Sequence, residues 1–434
     1  MTTTLRAPRA RVRSDAIGWL TIYVALLFFI PSRLVLGPLG SAGAPSMLFG
    51  LGSMALWLFA YLGAARRVVH EPQPIRIALG IFLACVGISY TLAMTHPISS
   101  DEISPADVAL LALLSWSGTL LLTHDAVYER RRLDTLVWRL VCFGGVIAAL
   151  GLIQVFTRRL WVDLLSIQGL TNSGGYDLSS RGGYPRPVGT AIHPIEYGVI
   201  LAVLFPLALH VGFHHTRRKP LVRWLPAAAL CAILPLTSSR SAYLGAIIAL
   251  VVCMFGWSRE RQLRVLLVGV TGLLSMAVVA PNFVSSVSTL FTGAGDDPSV
   301  ESRTDSVPLA LEFLAQHPWF GRGLGTFLPK YRIFDNEYLL LLVSIGVVGT
   351  VAFIGLGLTA AVTLLRLRTA VRDEATRDLA QSLCAAVVTG FICLFMFDAF
   401  AFPMTMGVLF LTLGLAGALR RVEHENRLLE KIWL

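Results

Sequence analysis

The sequence predicts an all-α polytopic membrane protein of about twelve transmembrane helices, with a large external loop between helices nine and ten. Three observations carry that expectation. The chain is 55% hydrophobic and only 14% charged, where a soluble domain of its size carries roughly a quarter charged residues. Its apolar residues fall in separate runs close to membrane-spanning length. Its basic residues sit in small clusters between those runs, a pattern of membrane topology rather than of a nucleic-acid patch, despite a net charge of +10.

The first run, 17–36, follows Arg6, Arg9, Arg11 and Arg13. It resembles a signal sequence, and Ser41-Ala42-Gly43-Ala44 imitates a cleavage site. It nevertheless exceeds the ~7–15 residues of a signal h-region, so a retained first helix is expected. Runs at 44–64, 75–95, 106–123 and 136–157 follow, each near the length that crosses a bilayer as a helix. The sixth, 191–212, contains Pro194, a residue suited to a first helical turn. The seventh, 222–237, is short and carries Pro226 and Pro235, which predicts a broken or tilted segment. Runs at 241–257, 263–281, 337–365, 378–400 and 402–419 complete the set. All six cysteines lie within runs, where neither a disulfide nor a zinc site is expected. The chain thus reads as a single integral membrane domain over 1–434.

Orientation follows from the basic residues. With the N-terminus inside, 26 of the 36 lysines and arginines fall on the inner side, and the alternation never breaks. Both termini are therefore expected to be cytoplasmic. The ten outer basic residues are Arg33, Arg158, Arg159, Arg181, Arg186, Arg240, Arg303, Arg322, Lys330 and Arg332. Positive charge outside runs against the usual bias. Arginines clustered there suit an anionic ligand such as a diphosphate, which guanidinium grips in a fork, or else lipid headgroups.

Three segments carry the outer chemistry. Arg186 and His193 flank the Gly189-Thr190 turn ahead of Pro194. The stretch reads either as a ligand-facing turn or as a plain helix entry with an interfacial histidine. Arg240 sits in a tight hairpin, Ser238-Ser239-Arg240-Ser241, where Asp398 is a candidate counter-ion. The polar segment Asn282–Asn336, 55 residues long, is too long for an ordinary connection. Within it Val307, Leu311 and Leu314 predict a short helix resting on the membrane, just after Arg303. Gly321-Arg322-Gly323-Leu324-Gly325 has no strand before it and is a turn, not a nucleotide loop. Asp296-Asp297-Pro298 is also read as a turn in preference to a cation site. Asp335, at the mouth of the tenth run, is placed either as a general base or as a helix cap.

Together these segments resemble the O-antigen ligase/polymerase family of bacterial membrane glycosyltransferases. Pro185-Arg186-Pro187-Val188-Gly189-Thr190 through His193-Pro194 is similar to that family's arginine, Gly-Thr and His-Pro stretch. Ser239-Arg240-Ser241 resembles its Ser-Arg turn. Glu301-Ser302-Arg303 and the later Pro318-x-x-Gly321-x-Gly323 resemble its loop arginine and glycine turn. Asp335-Asn336, nine residues, then Gly346-x2-Gly349 matches the ligase pattern, except that ligases have histidine where this chain has Asp335.

The resemblance implies sugar transfer on the outer face of the cytoplasmic (inner) membrane, with 282–336 as an external catalytic loop. The partners implied are a polyprenyl-diphosphate-linked glycan donor, a glycan or lipid acceptor, and membrane lipids; nucleic acid is not among them. Arg186 and Arg303 would stabilise the leaving diphosphate and Asp335 would take the acceptor proton, with inversion at the anomeric carbon. Arg240, His193, Asn336, Arg322 and Thr190 would line the substrate, and no metal or other cofactor is required. Aspartate in the histidine position points away from lipid A-core as acceptor and towards an envelope or exopolysaccharide. A lipid-linked glycan flippase or other transporter is the alternative. It is disfavoured because the charges gather at the outer rim rather than at the midplane.

Overall fold

The computed structural model describes residues 16–63, 72–174, 179–181, 183–279 and 298–433. Thirteen helices appear among them: α1 (Ala16–Phe29), α2 (Pro45–Gly63), α3 (Pro74–Thr95), α4 (Ser100–Ala126), α5 (Arg130–Thr157), α6 (Pro194–His214), α7 (Pro220–Leu236), α8 (Arg240–Met254), α9 (Arg259–Val279), α10 (Pro298–Gln316), α11 (Glu337–Ala370), α12 (Glu374–Cys393) and α13 (Pro403–Trp433). A helix coincides with each apolar run. Among the described residues, eight helices (α2 to α6 and α11 to α13) are long and apolar enough to cross a membrane, and α1, α7 and α8 are apolar but shorter. The protein is a multi-pass membrane protein. The described residues also hold two small ribbons, β1 (Leu34–Leu36) on β2 (Leu170–Asn172) and β3 (Ser180–Arg181) on β4 (Tyr184–Pro185), both antiparallel.

The most enclosed helices are α6 and α13, followed by α12. Buried positions run round the whole circumference of α6 and α12, as in a helix surrounded by other helices. By contrast α9 exposes Leu263, Leu267, Val268, Leu274 and Val278, a lipid-facing composition along its length. Small residues set the close approaches. Gly118 on α4 leaves no room for a Cβ against the Met54 backbone of α2, and Gly198 on α6 packs on Ala242 of α8.

Among the described residues, contacts between connecting segments gather at two ends of the bundle. At one end Ser32 N–H donates to the Thr190 carbonyl, β1 pairs with β2, and the 317–336 and 394–402 segments close over the bundle. At the other end Arg420 donates to the Pro72 carbonyl, Arg421 to those of His124 and Val127, and Arg261 pairs with Asp378. Every described residue predicted to bear outer chemistry lies at the first end.

Two expectations change. Of the two readings of the proline-bearing α7, broken or tilted, the break is absent: it is one unbroken helix. The break falls instead in α11, at Gly346 (φ 67°, ψ −174°), inside a run read as continuous. The Pro318–Gly325 turn plugs that break. Val347 and Val348 N–H donate to the carbonyls of Pro318 and Trp319 at 2.9 and 3.2 Å, and Arg322 and Gly323 N–H donate to those of Val343 and Ser344 at 3.1 and 2.8 Å. Inside a membrane every freed backbone group needs such a partner. The predicted long loop is also partly helical: α10 covers Pro298–Gln316, longer than the short helix expected, while 282–297, with Asp296 and Asp297, lies outside the described residues.

Candidate active site

The 185–196 segment is built around a buried side chain that the sequence did not single out. Gln154, near the end of α5, accepts from the Val188 and Gly189 N–H groups and donates to the carbonyls of Gly189 and Leu160, all within 3.1 Å. Gly189 is left-handed (φ 57°) and would drive a Cβ into the Tyr197 ring. Thr190 spends its hydroxyl on the Phe28 carbonyl at 2.5 Å, so it locks the turn to α1. Arg33 donates to the Ile192 carbonyl from the other side. His193 then caps α6, its Nδ1 accepting from Ile195 N–H, with Pro194 in the first turn as expected.

His193 is half-buried between cations. Burial first, and then the positive charges of Arg186 and Arg33, lower its pKa from 6.5 to about 4. The imidazole is therefore neutral at neutral pH.

At the mouth of α11 the two readings of Asp335 separate. The cap is Asn336, whose Oδ1 accepts from Tyr338 and Leu339 N–H. Asp335 is released from that task and stands in the left-handed region at φ 51°. A non-glycine residue there costs of order 1 kcal/mol and needs support. Asp398 supplies it. Its carboxylate accepts from Asn336 N–H at 3.0 Å and lies near the Asp335 carboxylate. Burial first, with Asp335's negative charge adding to it, raises the Asp398 pKa.

The segment 398–405 joins the two halves. Glu196, fully buried in the first turn of α6, accepts from Ile192 N–H at 2.8 Å and from Met404 N–H at 2.9 Å. Glu337, fully buried at the start of α11, accepts from Phe400 N–H at 3.0 Å. The His193 ring stands 6.2 Å from that of Phe402. One strap thus carries a carboxylate anchor to each motif. The Arg240 hairpin abuts the same place. Ser239 and Ser241 hydroxyls bond at 2.8 Å, the Ser241 carbonyl accepts from Cys393, and Gly198 of α6 packs on Ala242. Arg186, His193, Arg240 and Asp335 are brought to one end of the bundle in this way.

Arg322 is differently placed. Its guanidinium pairs with the buried Glu102 at 2.9 Å, beside Tyr331, whose hydroxyl donates to the same oxygen at 2.5 Å. The arginine pins the glycine turn to α4, and this partner accounts for it without a substrate. Lys330 is likewise paired, to Asp101. Arg332 donates to Ser306 of α10 at 3.1 Å, and Ala310 packs with Phe327, Phe334 and Val343. These contacts fasten α10 beside the Asp335 turn. Arg303 is on α10 one turn before Ser306; its side chain lies outside the described residues.

Gln154, Glu196, Glu337 and Glu102 are the residues that sequence reasoning missed. A signal existed for Glu196 and Glu337, since an ionisable group opening an apolar helix marks function or a buried partner. Chemically the site offers a carboxylate held in a fixed turn, a neutral imidazole and several guanidinium groups, a set suited to moving a proton beside a developing anion.

Residues 225–354 match the family model described as O-antigen ligase. The matched stretch runs from α7 into α11 and includes Arg240, Arg303, Arg322, Asp335, Asn336 and Gly346, whereas Arg186, Thr190 and His193 precede it. No curated protein matches the chain.

Proposed function

From the O-antigen ligase match over residues 225–354, which supports an O-antigen ligase/polymerase family and a glycosyltransferase-like enzyme, we propose a glycan transfer at the end of the bundle that holds Asp335. The donor is a glycan on a polyprenyl diphosphate, and the acceptor a hydroxyl of a second glycan or lipid. The reaction takes place on the outer face of the cytoplasmic membrane, with about twelve spans, 282–336 as the outer loop and both termini inside. The observation that supports this best is the 398–405 strap, whose neighbours are His193, Glu196, Asn336 and Glu337.

The acceptor oxygen attacks the anomeric carbon while the bond from that carbon to the diphosphate oxygen breaks. The electron pair leaves on the diphosphate, and Asp335 takes the hydroxyl proton. A single displacement inverts the anomeric centre. Arg186 and Arg303 receive the charge that develops on the diphosphate, and Arg240 extends their reach. Helical spacing puts position 303 on the face of α10 that carries Ser306 and Ala310, the face turned to the Asp335 turn. Neutral His193 orients the acceptor or the diphosphate. Asn336 and Thr190 hold the backbone in shape, and Arg322 holds the glycine turn.

The test uses purified protein in lipid with a polyprenyl-diphosphate glycan and a candidate acceptor. Asp335→Asn keeps the left-handed backbone, which asparagine tolerates, and removes the base. Loss of polyprenyl diphosphate release by about 10²-fold or more, in both Asp335→Asn and Arg303→Ala with folding intact, is the expected result. Turnover at the wild-type rate in both variants sinks the assignment. Passage of labelled lipid across the bilayer without transfer replaces it with transport.

A further inference from the structure

At the end of the bundle opposite the candidate active site, α3, α11 and α13 enclose a groove of two adjoining cavities of 560 and 400 Å³. Its rim carries Arg366 from α11 and Arg420 and Arg427 from α13, with no acidic residue lining it among the described residues. The Arg427 Nη2 is shielded from solvent and has no hydrogen-bond partner among the described residues. A buried cationic donor without an acceptor is costly, and an anion relieves it. Below the rim the walls turn apolar: Ile77 and Ile81 on α3 and Leu358 on α11 are each more than half exposed. From Ile77, α3 continues through exposed Ile88, a rise of about 16 Å at helical pitch, comparable with an acyl chain.

We propose that this groove binds an anionic glycerophospholipid from the leaflet at that end, its phosphate on the arginines and an acyl chain along α3 and α11. A free anion matches only the rim, and a zwitterionic lipid brings a second cation towards three guanidinium groups. The charge and the apolar wall together select an anionic lipid. The groove tethers α3, α11 and α13 at the end away from the chemistry, and its occupancy is separable from transfer.

The experiment titrates the delipidated full chain in detergent with phosphatidylglycerol, phosphatidylcholine or inorganic phosphate, counting bound lipid by native mass spectrometry. Phosphatidylglycerol is expected to bind more tightly than phosphatidylcholine, and inorganic phosphate not to displace it. Arg366→Gln and Arg427→Gln are expected to weaken binding about fivefold each, while Arg264→Gln, an exposed arginine at the same end, leaves it unchanged. Equal binding of the two lipids, displacement by phosphate, or undiminished binding in the variants overturns the proposal. Should either variant fail to fold, photoactivatable phosphatidylglycerol on the wild-type protein decides. Crosslinks at 77–81 and 358–366 support the site, and crosslinks confined elsewhere refute it.

Discussion

Two neighbouring residues at the mouth of α11 divide work that either could have done alone. Asn336 takes the cap because its Oδ1 reaches Tyr338 and Leu339 N–H, and Asp335 beside it is strained at φ 51°. His193 shows the opposite economy, serving as cap of α6 while sitting beside Arg186 and Arg33. Its folded pKa, about 4, lies below the ordinary 6.5, so the unfolded chain binds the proton more readily. The contribution to stability is therefore complete above pH 6.5 and is lost as pH falls towards about 4. Thermal melting of the purified protein from pH 7.5 down to 4, intervals of about half a unit sufficing to resolve one titration, is expected to show that decline. In His193→Asn, which keeps a good capping side chain, the decline is expected to flatten. An unchanged profile in that variant would remove His193 as its source.

Among the elements, α11 is the one on which the site depends. Its break at Gly346 exposes backbone groups that the Pro318–Gly325 turn satisfies, with Ser89 of α3 donating as well to the Ser344 carbonyl, and the same turn is locked to α4 by Arg322 and Glu102. The Gly346 conformation is essentially restricted to glycine, and a Cβ there would collide with the Trp319 carbonyl. Gly346→Ala should cost about 3 kcal/mol from strain and clash together, read as a lowered Tm and faster proteolysis of the 317–336 segment. Gly355→Ala, on the same helix with open space around it, is the control and should be nearly neutral or slightly stabilising. Equal behaviour of the two variants would show that the break does not carry the fold.

At the scale of the molecule, the two ends of the bundle are chemically distinct. One gathers the strap, the glycine turn and the Arg186–His193 segment, and the other gathers the arginine-rich helix ends and the lipid groove. If the basic clusters mark the inner side, Ser173→Cys is labelled by a membrane-impermeant maleimide on intact cells or spheroplasts, and Glu260→Cys only after lysis. Both side chains are exposed, and the native cysteines lie within helices. The reverse labelling pattern would invert the topology and move the candidate site to the inner face.

The sequence by itself determined the helical runs, the alternation of basic clusters and the residue types of the site, because hydropathy and charge act locally and leave their period in the chain. It also marked Gly189 and the 321–325 glycines as turns. Only the tertiary structure decided which residues meet. Glu196 and Glu337 lie 141 positions apart, yet both bond to backbone N–H groups in the 400–404 stretch. Gly346 breaks its helix because a turn 20 to 30 positions earlier supplies the missing partners, and Arg322 is taken up by a glutamate 220 positions away. Satisfying buried polar groups is a contest between distant partners. Its outcome depends on three-dimensional proximity, which no local pattern records.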